Sequence, residues 1–285
     1  SLTNTDQSIR EKAIQVNKEA IEAGMTLGSK GLTVWVGDGG NFPGQISFSK
    51  SLERYIESMK KIYSNLPEDW KVYLEHKPYE PAFYSTVISD WGTSYICAKE
   101  LGEKAMCLVD LGHHLPNTNI EMIVSRLIDL NKLGGFHFND SKFGDDDLDA
   151  GSINPFELFL IFNELTLANK NGKLKEISYM IDQSHNVTDP IESLILSSNE
   201  IALCFTKSLL VDYDLLNELQ DANDTIGTMQ LLKTAFNTDV NPIVSMARYE
   251  NSNAIDPISI YRSLNYKQNK SKVRKSSKGS SSGIV

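Results

Sequence analysis

A glutamate, two aspartates and a histidine close four short apolar segments: KVYLEHK at Glu75, MCLVDLGHH at Asp110, GGFHFND at His137 and ISYMIDQ at Asp182. Carboxylates and imidazole, with no cysteine among them, suit a hard or borderline divalent cation. His113 follows Asp110 in a tight loop, and Asp145 and Asp147 lie in a Gly-Asp-rich stretch. The Asp-x-Asp spacing lets alternate carboxylates turn toward one cation while Asp146 faces water. The donors thus divide into two sets. Glu75, Asp110, His137 and Asp182 suit one octahedral site; His113, Asp145 and Asp147 supply a second, with Asp110 able to bridge. Two adjacent divalent ions can grip neighbouring oxygens and lower the pKa of a bound water.

Alternation along the segments sorts the remaining polar residues. In EHK, Glu75 and Lys77 share one face and His76 the other, where it reads as a packed core histidine. In FHFND, His137 and Asn139 share the inward face. Inward charge needs a partner or a ligand, because bare buried charge is costly. The plainer readings are a Glu75–Lys77 salt bridge, Asp110 as a helix cap and a solvated acidic loop at 145–147. Trp35 faces with Thr33 and Gly37, where it would wall the apolar side of a sugar or simply pack in the core. His185 in QSHN suits substrate orientation or a helix-capping role.

The elements that must position these residues are short strands alternating with helical patterns. Helices are predicted over 6–28, 48–66, 91–101, 120–133 and 155–168, the last opening on a proline in its first turn. Strands are predicted at LTVWV, 72–77, 106–110, 136–139 and 177–182. Parallel strands alternating with helices put all strand carboxyl ends on one face, so scattered ligands converge there. After Asp189-Pro190 the pattern is purely helical, ending in YKQNKSKVRKSSKGSSSGIV. Five strands do not close a barrel of eight. They leave an open five-stranded sheet, or a barrel whose first three βα units precede Ser1; the helix-first start favours the latter. The expected fold is therefore α/β: a (β/α)8 TIM barrel with about five βα units present, strands four to eight, plus a C-terminal helical extension. The chain divides into a partial barrel with the metal site over 1–190, a helical extension over 191–265 and a basic flexible tail over 266–285.

The 285 residues suffice for a large core, and their net charge of −9 argues against nucleic acid as a partner. Cys97, Cys107 and Cys204 have no paired spacing and read as reduced core residues. No apolar run approaches the length of a membrane span and no signal peptide opens the chain, so the expected setting is cytoplasmic, with no membrane partner.

WVGDGGNFPGQ, LEHKPYEPAFYSTVISDWGT, VDLGHHLPNTNIE, GGFHFNDSKFGDDDLDAG and MIDQSHNVTDPIESL together closely resemble bacterial L-rhamnose isomerases of broad aldose specificity, in the xylose-isomerase-like barrel superfamily. The likeness runs along this chain but matches only the later part of that family. It implies a homotetrameric enzyme with two divalent ions, manganese first, with cobalt, magnesium or zinc as substitutes. It implies that Glu75, Asp110, His137 and Asp182 hold the structural metal, and His113, Asp145 and Asp147 the catalytic one. Lys77, Trp35, His113 and Asp147 would contact the sugar, with Lys77 and Asp182 assisting the chemistry. The implied reaction interconverts L-rhamnose and L-rhamnulose, and related aldose and ketose pairs, by a metal-assisted hydride shift, with a cis-enediol route as its competitor. The alternatives are a barrel metallohydrolase cleaving phosphodiesters, disfavoured by the acidic balance and by Lys77 beside Glu75, and an inactive fragment that associates with intact subunits. On the expectation that the chain is N-terminally truncated, the histidine assisting ring opening and several apolar pocket walls would lie upstream of Ser1.

Overall fold

A computed structural model describes residues 1–80, 84–184 and 187–274. The chain enters helix α1 (Gln7–Leu27), whose first turn is capped by Asp6 accepting from Ser8 N–H. Gly28 ends the helix at φ 77°, a left-handed conformation that glycine adopts without a Cβ penalty. Five strands then run parallel in one sheet: β1 (Gly31–Val34), β2 (Lys71–Glu75), β5 (Ala105–Asp110), β6 (Leu133–Phe138) and β7 (Ser178–Ile181). Their order in the sheet follows the chain, β1-β2-β5-β6-β7. The crossovers are helices α2 (Phe48–Tyr63), α3 (Trp91–Leu101), α4 (Ile120–Asp129) and α5 (Pro155–Lys170). A small antiparallel hairpin, β3 (Tyr79–Glu80) with β4 (Tyr84–Ser85), follows β2.

One face of the sheet is covered by helices. Val72, Leu74, Cys107, Val109, Phe136 and Phe138 are fully buried in one cluster with Ile123, Leu127, Phe159 and Phe162. Phe138 stacks on Phe162 of α5 at 5.7 Å between ring centroids. The opposite face carries Tyr73, Met106, Leu108, His137 and Ser178. There Tyr73 Oη and Ser178 Oγ lie 2.8 Å apart although two strands separate β2 from β7. On a flat sheet those strands would stand about 14 Å apart. The sheet therefore curls toward this face, as in a barrel wall, and the strand carboxyl ends gather at one rim.

This architecture corrects the expected eight-stranded barrel of which strands four to eight are present. Among the described residues the sheet has five strands and is open, since β1 and β7 each pair with a single neighbour. Closure would leave no unpaired edge, so the wall is partial and its strands carry no fixed rank in a set of eight. The helix expected over 120–133 stops at Asp129, because Asn131 turns left-handed at φ 55°, freeing Leu133–Gly135 to join β6. The hairpin β3–β4 was not foreseen from the sequence.

Beyond β7 come α6 (Pro190–Ser208), α7 (Tyr213–Asp221), α8 (Thr225–Asn237), α9 (Asn241–Glu250), α10 (Pro257–Ser263) and α11 (Tyr266–Val273). The last of these is helical within the stretch expected to be a flexible tail. Among the described residues no single helix is long and apolar enough to cross a membrane.

Candidate metal centre

Glu75 closes β2, Asp110 closes β5, His137 is the penultimate residue of β6, and Asp182 follows β7 directly. The ladder pairs Asp110 with His137, so the two side chains stand side by side on the inner face. One ligand atom from each of the four residues lies within 4.8 Å of the others, the one such grouping among the described residues. His137 Nδ1 is 3.0 Å from Glu75 Oε1, 3.4 Å from Asp182 Oδ2 and 3.6 Å from Asp110 Oδ2. Asp182 is the open member, with 60% of its side chain exposed, whereas Glu75 and Asp110 are buried.

Three carboxylates around one imidazole carry an excess of negative charge. Burial alone would lower the His137 pKa, but the carboxylates of Asp110 and Glu75 beside it push it up to about 10. A proton on His137 thus supplies part of the missing positive charge. Asp110 shows what is still lacking. Its Oδ1 accepts 2.9 Å hydrogen bonds from Gly112 N–H and Asn139 Nδ2, while Oδ2 is buried with no hydrogen-bond partner. A buried carboxylate oxygen left unsatisfied is costly. Its position among three other ligand atoms fits a divalent cation.

The second set of residues is arranged differently. His113 Nε2 meets Asp145 Oδ1 at 3.0 Å, and Lys77 Nζ meets Asp145 Oδ2 at 2.5 Å and Glu80 Oε2 at 3.0 Å. Burial would raise the Asp145 pKa, but the bonds from His113 and Lys77 hold it below the usual carboxylate range. Lys77 is likewise held protonated: burial opposes its charge, and Asp145 and Glu80 outweigh that. Burial, then the charges of Asp145, Asp110 and Asp182, push the Asp147 carboxyl up to about 7. His113 Nδ1 lies 3.0 Å from the carbonyl of His76, and its pKa is raised by Asp145, Asp110 and Glu75 against the effect of burial. The structure therefore places His113 and Asp145 in contact and Asp147 in their electrostatic reach. They form a paired ionic cluster rather than an open ligand ring.

Asp145 and Asp147 both sit at positive φ, 58° and 50°. Asp146 between them stays partly exposed, and its carboxylate accepts backbone N–H bonds from Lys142, Phe143 and Gly144. That cradle fixes the loop presenting its neighbours. Trp35, just past β1, is 41% exposed, with Lys77 Nζ 5.2 Å from its ring centre. His76 is buried against His114 with ring centroids 4.8 Å apart. Burial, His114 and His113 push its pKa well below the ordinary histidine value, as befits a neutral core residue. His185 lies outside the described residues.

Sequence reasoning assigned no role to Glu80, Gly112 or Asn139, all of which touch the cluster. For Asn139 a signal existed, its shared face with His137. For Glu80 the signal was its place three residues after Lys77, which brings the two charges to 3.0 Å.

No protein-family model matches the chain. It is 57% identical over 286 residues to "Probable sugar isomerase mlr5709" of Mesorhizobium japonicum, and 56% identical over 288 residues to "Probable sugar isomerase R00627" of Rhizobium meliloti. The chain is a homologue of probable sugar isomerases. Both alignments cover 100% of it, and it spans 66% of the length of each relative. Its fold resembles protein SMc04130 from Sinorhizobium meliloti (TM-score 0.55, 15% identity, 71% of this chain and 74% of that one). It also resembles an L-ribulose 3-epimerase (TM-score 0.52, 13% identity, 82% and 73%). A third likeness is to the IOLI protein, solved with a bound zinc atom (TM-score 0.50, 16% identity, 73% and 72%).

These relatives correct the narrower resemblance to L-rhamnose isomerase. Their description stops at sugar isomerase, and the likeness fills the whole of this chain. The motifs that carried the narrower reading contain the four clustered donor residues.

Proposed function

We propose that this chain carries the metal centre of an aldose–ketose isomerase acting on small monosaccharides. The observation that carries the reading is the set of four strand-end ligand atoms within 4.8 Å of one another, in a homologue of probable sugar isomerases. Glu75, Asp110, His137 and Asp182 would hold one divalent ion, with manganese, cobalt, magnesium or zinc compatible with the donor set. His113, Asp145 and Asp147 would hold a second once their ion pairs open.

Bound divalent ions would polarise the C1 and C2 oxygens of the open-chain sugar. In the forward direction a hydride moves from C2 to C1, and the proton on the C2 hydroxyl passes to the C1 oxygen, leaving the 2-ketose. Asp182, exposed at the rim, would carry that proton between the two oxygens. Lys77, fixed between Asp145 and Glu80, would stabilise negative charge developing on oxygen. Trp35 would lie against the apolar face of the sugar and keep water from that side.

The test is ketose formation from a panel of aldohexoses and deoxyaldoses with manganese added, run beside manganese-binding calorimetry. Manganese-dependent conversion of at least one aldose is expected. Stoichiometric manganese binding with no conversion of any aldose would overturn the isomerase reading.

A further inference from the structure

Asn139 is 1% exposed and stands one residue past the end of β6. Its Nδ2 donates to Asp110 Oδ1 at 2.9 Å and to the backbone carbonyl of Asp182, also at 2.9 Å. A single amide nitrogen therefore joins the residues that end two different strands, across the strand between them. Because Gly112 N–H occupies the same Asp110 oxygen, the Asp110 carboxylate presents only Oδ2 to the inner face. Reversing the amide would set its oxygen against two acceptors, so the network allows one orientation. The amide's own Oδ1 is buried and without a partner. A buried polar atom without a partner calls for an explanation beyond packing. Gly112 contributes space: a Cβ there would come within 3.2 Å of Asn139 Oδ1 and 3.5 Å of Asp110 Oδ1.

We infer that Asn139 is a positioning residue that makes Asp110 a one-oxygen ligand through Oδ2 and sets the gap between Asp110 and Asp182. The inference rests on the metal reading of the four-ligand cluster. An aspartate at 139 would be isosteric, yet when ionised it has no N–H to donate and would repel Asp110. An alanine would free the Asp110 carboxylate to rotate and would release the Asp182 carbonyl.

Manganese binding to the full chain, followed by calorimetry for wild type, Asn139→Ala, Asn139→Asp and Gly112→Ala, tests this, with melts of each metal-free protein alongside. Loss of an outer partner of a metal ligand weakens metal binding by about 10–100-fold. That loss is expected for both Asn139 variants at a temperature where every protein is folded. A smaller loss is expected for Gly112→Ala, which leaves the amide in place but pushes it. The manganese EPR line shape should change in Asn139→Ala, because it reports the ligand arrangement rather than stability. Should the position-139 variants fail to fold, Gly112→Ala alone decides: weakened binding supports the inference and wild-type affinity overturns it. Wild-type affinity in folded Asn139 variants overturns it equally. Absence of manganese binding in wild type would overturn the metal reading itself, and this inference with it.

Discussion

The two halves of the site are built on different parts of the fold, and they handle charge in opposite ways. Glu75, Asp110, His137 and Asp182 stand at strand ends, where parallel register fixes their spacing before any ligand arrives. His113, Asp145 and Asp147 stand in loops, two of them in left-handed backbone. The strand-borne set leaves Asp110 Oδ2 buried without a hydrogen bond, 3.6 Å from the His137 ring. In the loop-borne set Asp145 is already paired with both Lys77 and His113. A rigid frame can hold partly compensated charge because it cannot collapse to relieve it. A loop relieves it by pairing. On the proposed metal reading, the strand-borne half is preorganised for a cation, whereas the loop-borne half would have to give up the Asp145 ion pairs to take one.

The largest expected effect tests that asymmetry directly. Asp110→Asn should weaken the tightest manganese-binding event by more than about 100-fold, since losing a ligand exceeds the effect of losing its outer partners. Asp147→Asn should leave that event intact and abolish a weaker second one. Calorimetry on both variants checks this; a tight event that survives in Asp110→Asn and disappears in Asp147→Asn would invert the comparison.

Lys77→Met should separate affinity from chemistry. Removing the ammonium frees Asp145, so the weaker manganese event should tighten, by about tenfold if the pair contributes near 1.4 kcal/mol. Aldose conversion should fall by about 100-fold with the loss of charge stabilisation. The two readouts move in opposite directions. A fall in both would mean that Lys77 holds the loop rather than competing with a cation.

The strand-borne half was legible in the sequence because its information is local. Each of its four residues ends an apolar, β-branched or aromatic run, and parallel alternation brings such ends together without further knowledge. The loop-borne residues were legible only as a set of types. Nothing in DDD announces that Asp146 accepts three backbone N–H groups, or that Asp145 turns to Lys77 and His113. The sheet was readable to within a few residues, except where Asn131 ends a helix early through its own left-handed backbone. Which strands stand at the edges was not readable. Closure depends on pairing partners for β1 and β7, and an edge strand carries the same local pattern as an interior one.

An intermediate effect comes from pH. The pKa of His137 is raised from 6.5 to about 10 in the folded chain. Its contribution to stability is complete below about pH 6.5 and is lost as the pH rises through about 10. The metal-free chain should therefore melt at progressively lower temperature between those limits. With manganese present, the ion replaces the imidazole proton, so apparent affinity should rise with pH and the drop in melting temperature should flatten. Thermal melts at several pH values, with and without manganese, check both. A metal-free melt that does not fall across this window would show that His137 is not held charged by its carboxylates.

The smallest effect concerns the frame itself. Tyr73→Phe removes the hydroxyl that meets Ser178 across the curled face, leaving the ring in place. One such hydrogen bond contributes about 1 kcal/mol, which for a chain of this size shifts the melting temperature by about 2–4 °C. Ser178→Ala should give a similar shift, and the double variant little more than either alone, since the same bond is lost once. Manganese affinity at the strand-borne site should stay within about twofold, because the inter-strand ladder sets the ligand spacing and the bridge only limits how far the sheet opens. If either single variant weakens manganese binding tenfold or more, the curl is part of the metal site. The strand-borne half would then owe its readiness to this cross-face bond as much as to its register.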